Sequence, residues 1–244
     1  MSAENRDLWE RHAAWWQTQF THGADPEYVH QILPLAVQLT AGCARVLDVG
    51  TGEGQVARAI AAAHGAVVVG MDPTAAQIKV AVARAGGTSY LRADASNLAS
   101  RSTAFDCVVA CLVFEHIDAL EEAISEVARV LRPGGRFVLF LNHPILQTPG
   151  SAWIDDHMVD PPEQYWRLGP YLDATEVVEE VERGVHIRFV HRPLGQYVNA
   201  LVDHGLAIEK LLEPAPPAEF LERSESYEAA AAYPRLMVLV SRRT

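Results

Sequence analysis

The stretch Val46–Gly54, VLDVGTGEG, decides the fold. Arg45 to Val49 is a short apolar run of strand character, and Gln55 to Ala63 behind it carries Val56, Ala59 and Ile60 at helical spacing. A glycine loop joining a strand to a helix N-terminus is a general cofactor cradle, because glycines admit close approach of the backbone and the first helical N–H groups are free donors. A bare GxGxxG match says little about which cofactor is held. The spacing here says more: Gly50, Gly52 and Gly54 form GxGxG, and Gln55 stands where a dinucleotide loop requires its third small residue. Asp48 lies two positions before the first glycine, at the strand end. A carboxylate there is ill-suited to a pyrophosphate and well suited to the positively charged tail of an amino acid.

The strand–helix rhythm continues beyond the loop. Ala66 to Met71 (AVVVGM) is a continuous β-branched run, as expected of a strand buried on both faces. Thr74 to Arg84 reads as a helix broken by Gly86-Gly87, and Ser89 to Arg92 as a short strand. Phe105 to Leu112 is strand-like, Leu120 to Leu131 sets Ile124, Val127, Ala128 and Leu131 on one helical face, and Arg136 to Leu141 is a further strand. Such alternation with short loops predicts a doubly wound, mostly parallel α/β sheet with helices on both faces. From His143 to Arg192 the rhythm stops. That segment is rich in Pro, Trp, Tyr and His, with a hairpin expected at Thr175 to Glu182 and Val185 to Val190, turning at Arg183-Gly184. Pro193 to His204 is amphipathic, and Leu206 to Leu212 and Leu236 to Val240 read as the final strands. The first forty residues read as helical, with Trp9, Trp15, Trp16 and Phe20 as an aromatic stripe that suits either a lid or a helix buried on the sheet.

The 244 residues suffice for one domain with a sizeable core, 1–244. Within it, 1–42 is an N-terminal helical lid, 43–142 a cofactor-binding core, 143–192 a substrate cover and 193–244 the completion of the sheet. The formal charge is −11, with 31 acids against 20 bases, and the arginines are scattered. That field opposes a polyanion, so a nucleic-acid partner is disfavoured. No run approaches the ~18–20 apolar residues that span a bilayer, and the charged N-terminus is unlike a secretory signal. A cytoplasmic protein without a membrane partner is expected, as a monomer or homodimer, and the alanine- and arginine-rich composition suggests a bacterial genome. Cys43, Cys107 and Cys111 form no CxxC pair, so neither a disulfide framework nor a metal site is expected.

With these residues in place, Ala44 to Leu141 resembles the class I, seven-strand S-adenosylmethionine-dependent methyltransferases. The segment Arg129–Phe140 (RVLRPGGRFVLF) carries the likeness as strongly as the loop does. The resemblance implies seven strands with the last antiparallel, an insertion after strand five, and S-adenosylmethionine as cofactor. It implies that Asp48 faces the methionine amino group and that Gly50, Thr51, Gly52, Gly54 and Gln55 form the close backbone contact. Asp72, followed by Pro73, would accept the ribose hydroxyls, Asp94 with Ala95 would hold the adenine, and Cys111 and Leu112 would line the methionine. Taken singly, Asp48 also suits a turn cap and Asp72 a helix N-cap.

In open α/β sheets the ligand sits beyond the carboxyl ends of the strands. His116, after the fourth strand, and His143, after the fifth, are therefore the candidate bases for a hydroxyl or amine acceptor. Trp153, His157, Tyr165, Trp166 and Tyr171, with His191 and Tyr197 flanking the later helix, are the expected lining of a small-molecule pocket under the cover. Cys111-Leu112-Val113-Phe114 stands where amide- and base-modifying relatives carry an NPPY tetrapeptide, so the small-molecule branch of the family fits better. A tRNA or protein methyltransferase, a nicotinamide oxidoreductase and a non-catalytic cofactor sensor are the competing readings.

Overall fold

The computed structural model describes residues 3–223 and 229–244. The first two residues of the expected lid and 224–228 of the C-terminal segment lie outside the described residues. Helix α1 (Ala3–Gln19) leads through a turn and a π-turn at Tyr28–Ile32 into α2 (Leu33–Leu39). The alternating core follows: β1 (Arg45–Val49), α3 (Gln55–His64), β2 (Val67–Asp72), α4 (Ala75–Arg84), β3 (Ser89–Arg92), β4 (Phe105–Cys111), α5 (Leu120–Val130) and β5 (Leu131–Asn142). The insertion contains α6 (Pro144–Gln147) and two hairpins, β6 (Ala152–Asp156) with β7 (Glu163–Arg167) and β8 (Thr175–Glu182) with β9 (Val185–His191). Helix α7 (Leu194–Asp203), β10 (Leu206–Leu212), α8 (Ala218–Leu221) and β11 (Leu236–Arg243) complete the chain.

The seven strands lie in the order β10-β11-β5-β4-β1-β2-β3. β11 runs antiparallel to both its neighbours, and the other six are parallel, as the resemblance implied. The chain winds outward from β1 through β2 to β3 and then returns to place β4 on the other side of β1. The carboxyl ends of β1 and β4 are therefore the switch point at which such sheets bind ligands. Strand alternation splits the core in two. Leu47, Val49, Val108, Ala110, Phe137 and Leu139 face α5 and α7, whereas Val46, Val68, Cys107, Val109, Val138 and Phe140 face α2 and α3.

Three local features depart from the expected boundaries. β5 starts at Leu131, which pairs with Phe105, and its register jumps so that Cys107 faces Arg136. Pro133 has no N–H for the ladder, and Gly134 takes φ +74°, so Arg132–Gly135 loops out before the strand resumes. The first forty residues are not one helix: Gly23 turns the chain at φ +83° and Asp25 Oδ1 accepts the Tyr28 N–H at 2.9 Å, starting a new helical segment. The β6–β7 hairpin was not expected at all, because its strands are mostly exposed and lack apolar alternation.

At the other end of β1, the Asp106 carboxylate accepts the backbone N–H groups of Ala44 (2.9 Å) and Arg45 (3.0 Å). This ties the entry of β1 to β4 from an almost buried position. Asp106→Ala is expected to lower stability by about 2–4 kcal/mol, since it removes charge-assisted bonds and orphans two backbone donors. Urea denaturation with an unchanged m-value checks this.

Candidate cofactor and acceptor site

The glycine loop is pinned from the neighbouring strand. The N–H groups of Gly50 and Thr51 both donate to Met71 O, at 2.8 and 3.0 Å. Asp72 Oδ2 accepts from Gly52 N at 3.0 Å while its Oδ1 accepts from Thr74 N at 2.8 Å. The three glycines do different things. A Cβ on Gly50 would stand 2.3 Å from Val113 Cγ2, and one on Gly54 would stand 2.3 Å from Tyr90 Oη. Those two glycines are needed for packing as well as for their positive φ. At Gly52 the nearest atom would be Trp16 Nε1, 3.8 Å away, so this glycine turns its bare face to the groove.

Asp48 and Asp72 are buried side by side at this loop. Burial pushes the Asp48 carboxyl up to about 7, against the opposing hydrogen bond from the Thr51 hydroxyl (2.7 Å), and Asp72 and Glu53 add to the rise. Asp72 is raised as well, first by burial. A cation placed in the groove relieves both, whereas an anion does not. Beyond Pro73 the groove narrows to a slot walled by Asp94, Ala95, Leu98, Val113 and Ile117, a flat apolar site with one carboxylate at its rim. Asp94 Oδ1 accepts the Ser96 N–H and hydroxyl at 2.9 and 2.8 Å, which orients it.

Helix α1 roofs the groove. Trp9 and Trp16 line it alongside Thr51, Gly52, Gln55 and Leu112. Glu10 caps the N-terminus of α4 through Ala75 N (2.8 Å) and Ala76 N (3.0 Å), and Gln17 donates to Gln77 Oε1 at 2.9 Å. Leu112 leaves β4 with φ +52°, a conformation uncommon for a residue with a Cβ and typical of functional turns.

A second compartment of about 530 Å³ opens beside the groove. Trp9, Trp16, Tyr28, Leu112 and His116 border both. Its other walls come from Val181, Ile187 and Phe189 of the β8–β9 hairpin and from Phe220 and Arg235 of the C-terminal segment. His116 sits at the junction with Trp9 and Phe189 rings at 4.9 and 4.8 Å. Its Nδ1 is 2.8 Å from the Arg188 carbonyl oxygen. A carbonyl only accepts, so Nδ1 carries the proton and Nε2 presents a lone pair. Burial lowers the His116 pKa to about 4, so the ring is neutral at pH 7.

The other sequence candidates are placed differently. His143 is buried away from the cleft: Nδ1 accepts from Ile145 N at 3.2 Å, capping α6, and Nε2 meets Glu213 Oε1 at 2.9 Å. Both ring nitrogens are occupied, so His143 has no lone pair to offer an acceptor. Trp153 and Trp166 pair across the β6–β7 hairpin, Trp153 stacks edge-on to Tyr233 at 5.4 Å, and His157 and Tyr165 are exposed. Tyr171 accepts from Leu194 N through its hydroxyl and from His191 Nε2 through its carbonyl oxygen, and Tyr197 is buried in the core on the inner face of α7. None of these seven residues borders either compartment. The cover expected from the whole of 143–192 is thus supplied by its second hairpin alone.

Reasoning from sequence missed Glu115. It is buried, its Oε1 accepts the Asn142 side-chain amide at 2.8 Å, its Oε2 has no partner among the described residues, and burial raises its carboxyl to about 7. It also missed Glu53, buried between Arg58 and Arg84, which locks the loop to α3 and α4. Glu53 lies within the glycine loop and Glu115 directly before His116, but only their burial marks them. Among the described residues no group of three His, Cys, Asp or Glu side chains is arranged to hold a metal ion, and no helix is long and apolar enough to cross a membrane.

Comparison with known proteins agrees with this geometry. A family model for a methyltransferase domain matches residues 47–139. An O-methyltransferase of Aspergillus sclerotiorum is 31% identical over 191 residues, covering 70% of this chain and 68% of that protein. A ubiquinone biosynthesis O-methyltransferase of Rhizobium johnstonii is 39% identical over 103 residues, but this spans only 40% of this chain and 41% of that protein. The crystal structure of an S-adenosylmethionine-dependent methyltransferase from Mesorhizobium loti superposes with a TM-score of 0.72 at 26% identity, covering 87% of this chain and 96% of the other.

The residues fit S-adenosylmethionine. Asp48 offers a desolvated carboxylate to a cation, Gly52 an unobstructed backbone, Asp72 oriented oxygens and the Asp94–Ile117 slot a flat apolar seat. A raised carboxyl pKa has a stability consequence. Between the unfolded value of 3.8 and the folded value of about 7 the native state binds the proton that the unfolded chain releases. The associated stability is therefore complete below pH 3.8 and is lost as pH rises through about 7. Thermal melts of the protein without cofactor should show a Tm that falls from pH 5 to pH 8, and Asp48→Asn should flatten part of that fall. The same substitution should weaken S-adenosylmethionine binding by about 10-fold or more in calorimetric titration, the loss of one charge-assisted contact.

Proposed function

This chain belongs to the class I S-adenosylmethionine-dependent methyltransferases, and from that premise we propose that it methylates a hydroxyl group on a small, flat, largely apolar molecule. The observation that carries this reading is His116, which borders both compartments with its Nε2 lone pair unprotonated and its Nδ1 held by Arg188 O. When bound, the cofactor supplies an electrophilic methyl group on a positively charged sulfur. The acceptor hydroxyl donates a hydrogen bond to His116 Nε2. On transfer of that methyl group to the oxygen, Nε2 would take the hydroxyl proton.

The rings of Trp9, Trp16, Tyr28 and Phe189 supply the apolar walls, align the acceptor and keep water from the reacting oxygen. Leu112 and Cys111 at the end of β4 close the floor between the compartments. The formal charge of −11 and the enclosed aromatic cleft disfavour a tRNA acceptor. The O-methyltransferase names of the two relatives above support oxygen as the acceptor atom.

His116→Gln is expected to lower kcat by ~10²-fold, the ordinary worth of a positioned base, with cofactor affinity unchanged. Because the His116 pKa lies at about 4, kcat/KM should show no loss from this group until pH falls toward that value. Methyl-transfer assays over a panel of phenols, amines and carbon acids test both claims. Transfer to amines in preference to phenols, or an unchanged kcat in the variant, overturns the reading.

A further inference from the structure

The lining of the acceptor cleft combines aromatic rings with four charged side chains, Asp25, Glu27, Arg223 and Arg235. Arg235 lies over the Phe220 ring, its guanidinium carbon 4.3 Å from the centroid. Glu27 Oε2 stands 3.8 Å from Arg235 Nη2, an ion pair too long to be a hydrogen bond. Arg235 Nε is buried and has no hydrogen-bond partner among the described residues. The residue itself is firmly placed: its carbonyl accepts from His143 N at 2.7 Å, and β11 begins at the next position. The neighbouring charges leave this cation underused. Asp25 accepts the Tyr28 N–H and stands 3.7 Å from Arg223, and Glu27 is raised above the ordinary carboxylate range, first by burial.

A guanidinium presents five N–H donors in a planar fork and accepts nothing. A fork with a buried, unmatched Nε in the lining of an aromatic cleft has the donors for a planar oxygen anion. We propose that Arg235 determines acceptor specificity by binding a carboxylate at the end of the molecule remote from the hydroxyl that meets His116. The acceptor class is then a flat hydroxylated acid, with its hydroxyl at the cofactor side and its carboxylate against Arg235. This inference rests on the cleft being the acceptor site. Phe220 holds the guanidinium plane from one side, Glu27 stands off Nη2 beyond hydrogen-bond range, and Nε is left without a partner among the described residues.

The test uses matched hydroxyaromatic acids, their primary amides and the parent phenols. Each is titrated by calorimetry into the full-length protein saturated with S-adenosylhomocysteine and then assayed for methyl transfer with S-adenosylmethionine. The acids should bind about 10-fold tighter than the amides, the margin of a bidentate charge-assisted contact. Arg235→Gln should collapse that margin, with the loss appearing in KM for the acid and not in kcat. Arg235→Lys should restore only part of it, because an ammonium keeps the charge and lacks the fork. If Arg235→Gln proves poorly folded, the lysine variant alone decides, since charge without the fork should still separate acid from amide less well than the native residue. Acids that bind no better than amides, or a loss shared equally by acids, amides and phenols, overturn the proposal. Arg235-dependent binding of acids that are never methylated sustains the anion contact and overturns hydroxyl methylation. Methylation of phenols with no preference for acids does the reverse.

Discussion

The grip of the β2 end on the glycine loop is the constraint to which the rest of the site is referred. The N–H groups of Gly50 and Thr51 donate to Met71 O and that of Gly52 to Asp72 Oδ2, while Thr74 N–H orients the same carboxylate. The first three hold the loop against the adjacent strand, so the parallel register of β1 and β2 sets where Gly52 and Asp48 face. The arrangement buries two carboxylates close together, which is unfavourable until a positive charge arrives. A groove that carries this tension and a bare glycine face is selective for a cationic ligand by electrostatics alone. The LRPGG turn matters at one remove, because it restores β5 to register beside β4 and so places Asn142 next to Glu115.

The core was legible because its information is local. Apolar alternation, helical spacing and turn glycines are written within ten or so residues of each other, and β1 through β5 fall close to where those patterns place them. Asp48, Asp72 and the glycines were legible for the same reason, since their roles depend on the strand end they occupy. The second compartment was not. Its lining comes from Trp9 to Tyr28, from Leu112 and His116, from Val181 to Phe189, and from Phe220, Arg223 and Arg235, segments that meet only in the folded chain. The density of aromatics between Trp153 and Tyr171 pointed to a binding pocket, yet those side chains pair with one another or cap the turn into α7. A composition cluster records where rings are, not which surface they face.

His116 and His143 illustrate the same limit at the scale of one proton. Both follow a strand end on the reacting side of the sheet, and only the Pro144 after His143 separates them locally. The structure supplies the rest: a carbonyl of β9 holds one ring and leaves Nε2 open, whereas the nearby Ile145 N and the distant Glu213 occupy both nitrogens of the other. Tautomer and availability are tertiary properties.

The two compartments are also mechanically one. Trp15 donates from Nε1 to Glu182 Oε2 at 2.6 Å, and Trp9 meets His116 edge-on, and His116 in turn lies tilted against Phe189. Helix α1, which roofs the glycine loop, is thus fastened to the hairpin that walls the acceptor cleft. Trp9 and Trp16 line the glycine-loop groove and the second compartment alike, so the two spaces share one wall. The aromatic stripe that sequence alone left between lid and core helix therefore stands at the boundary between the groove and the second compartment.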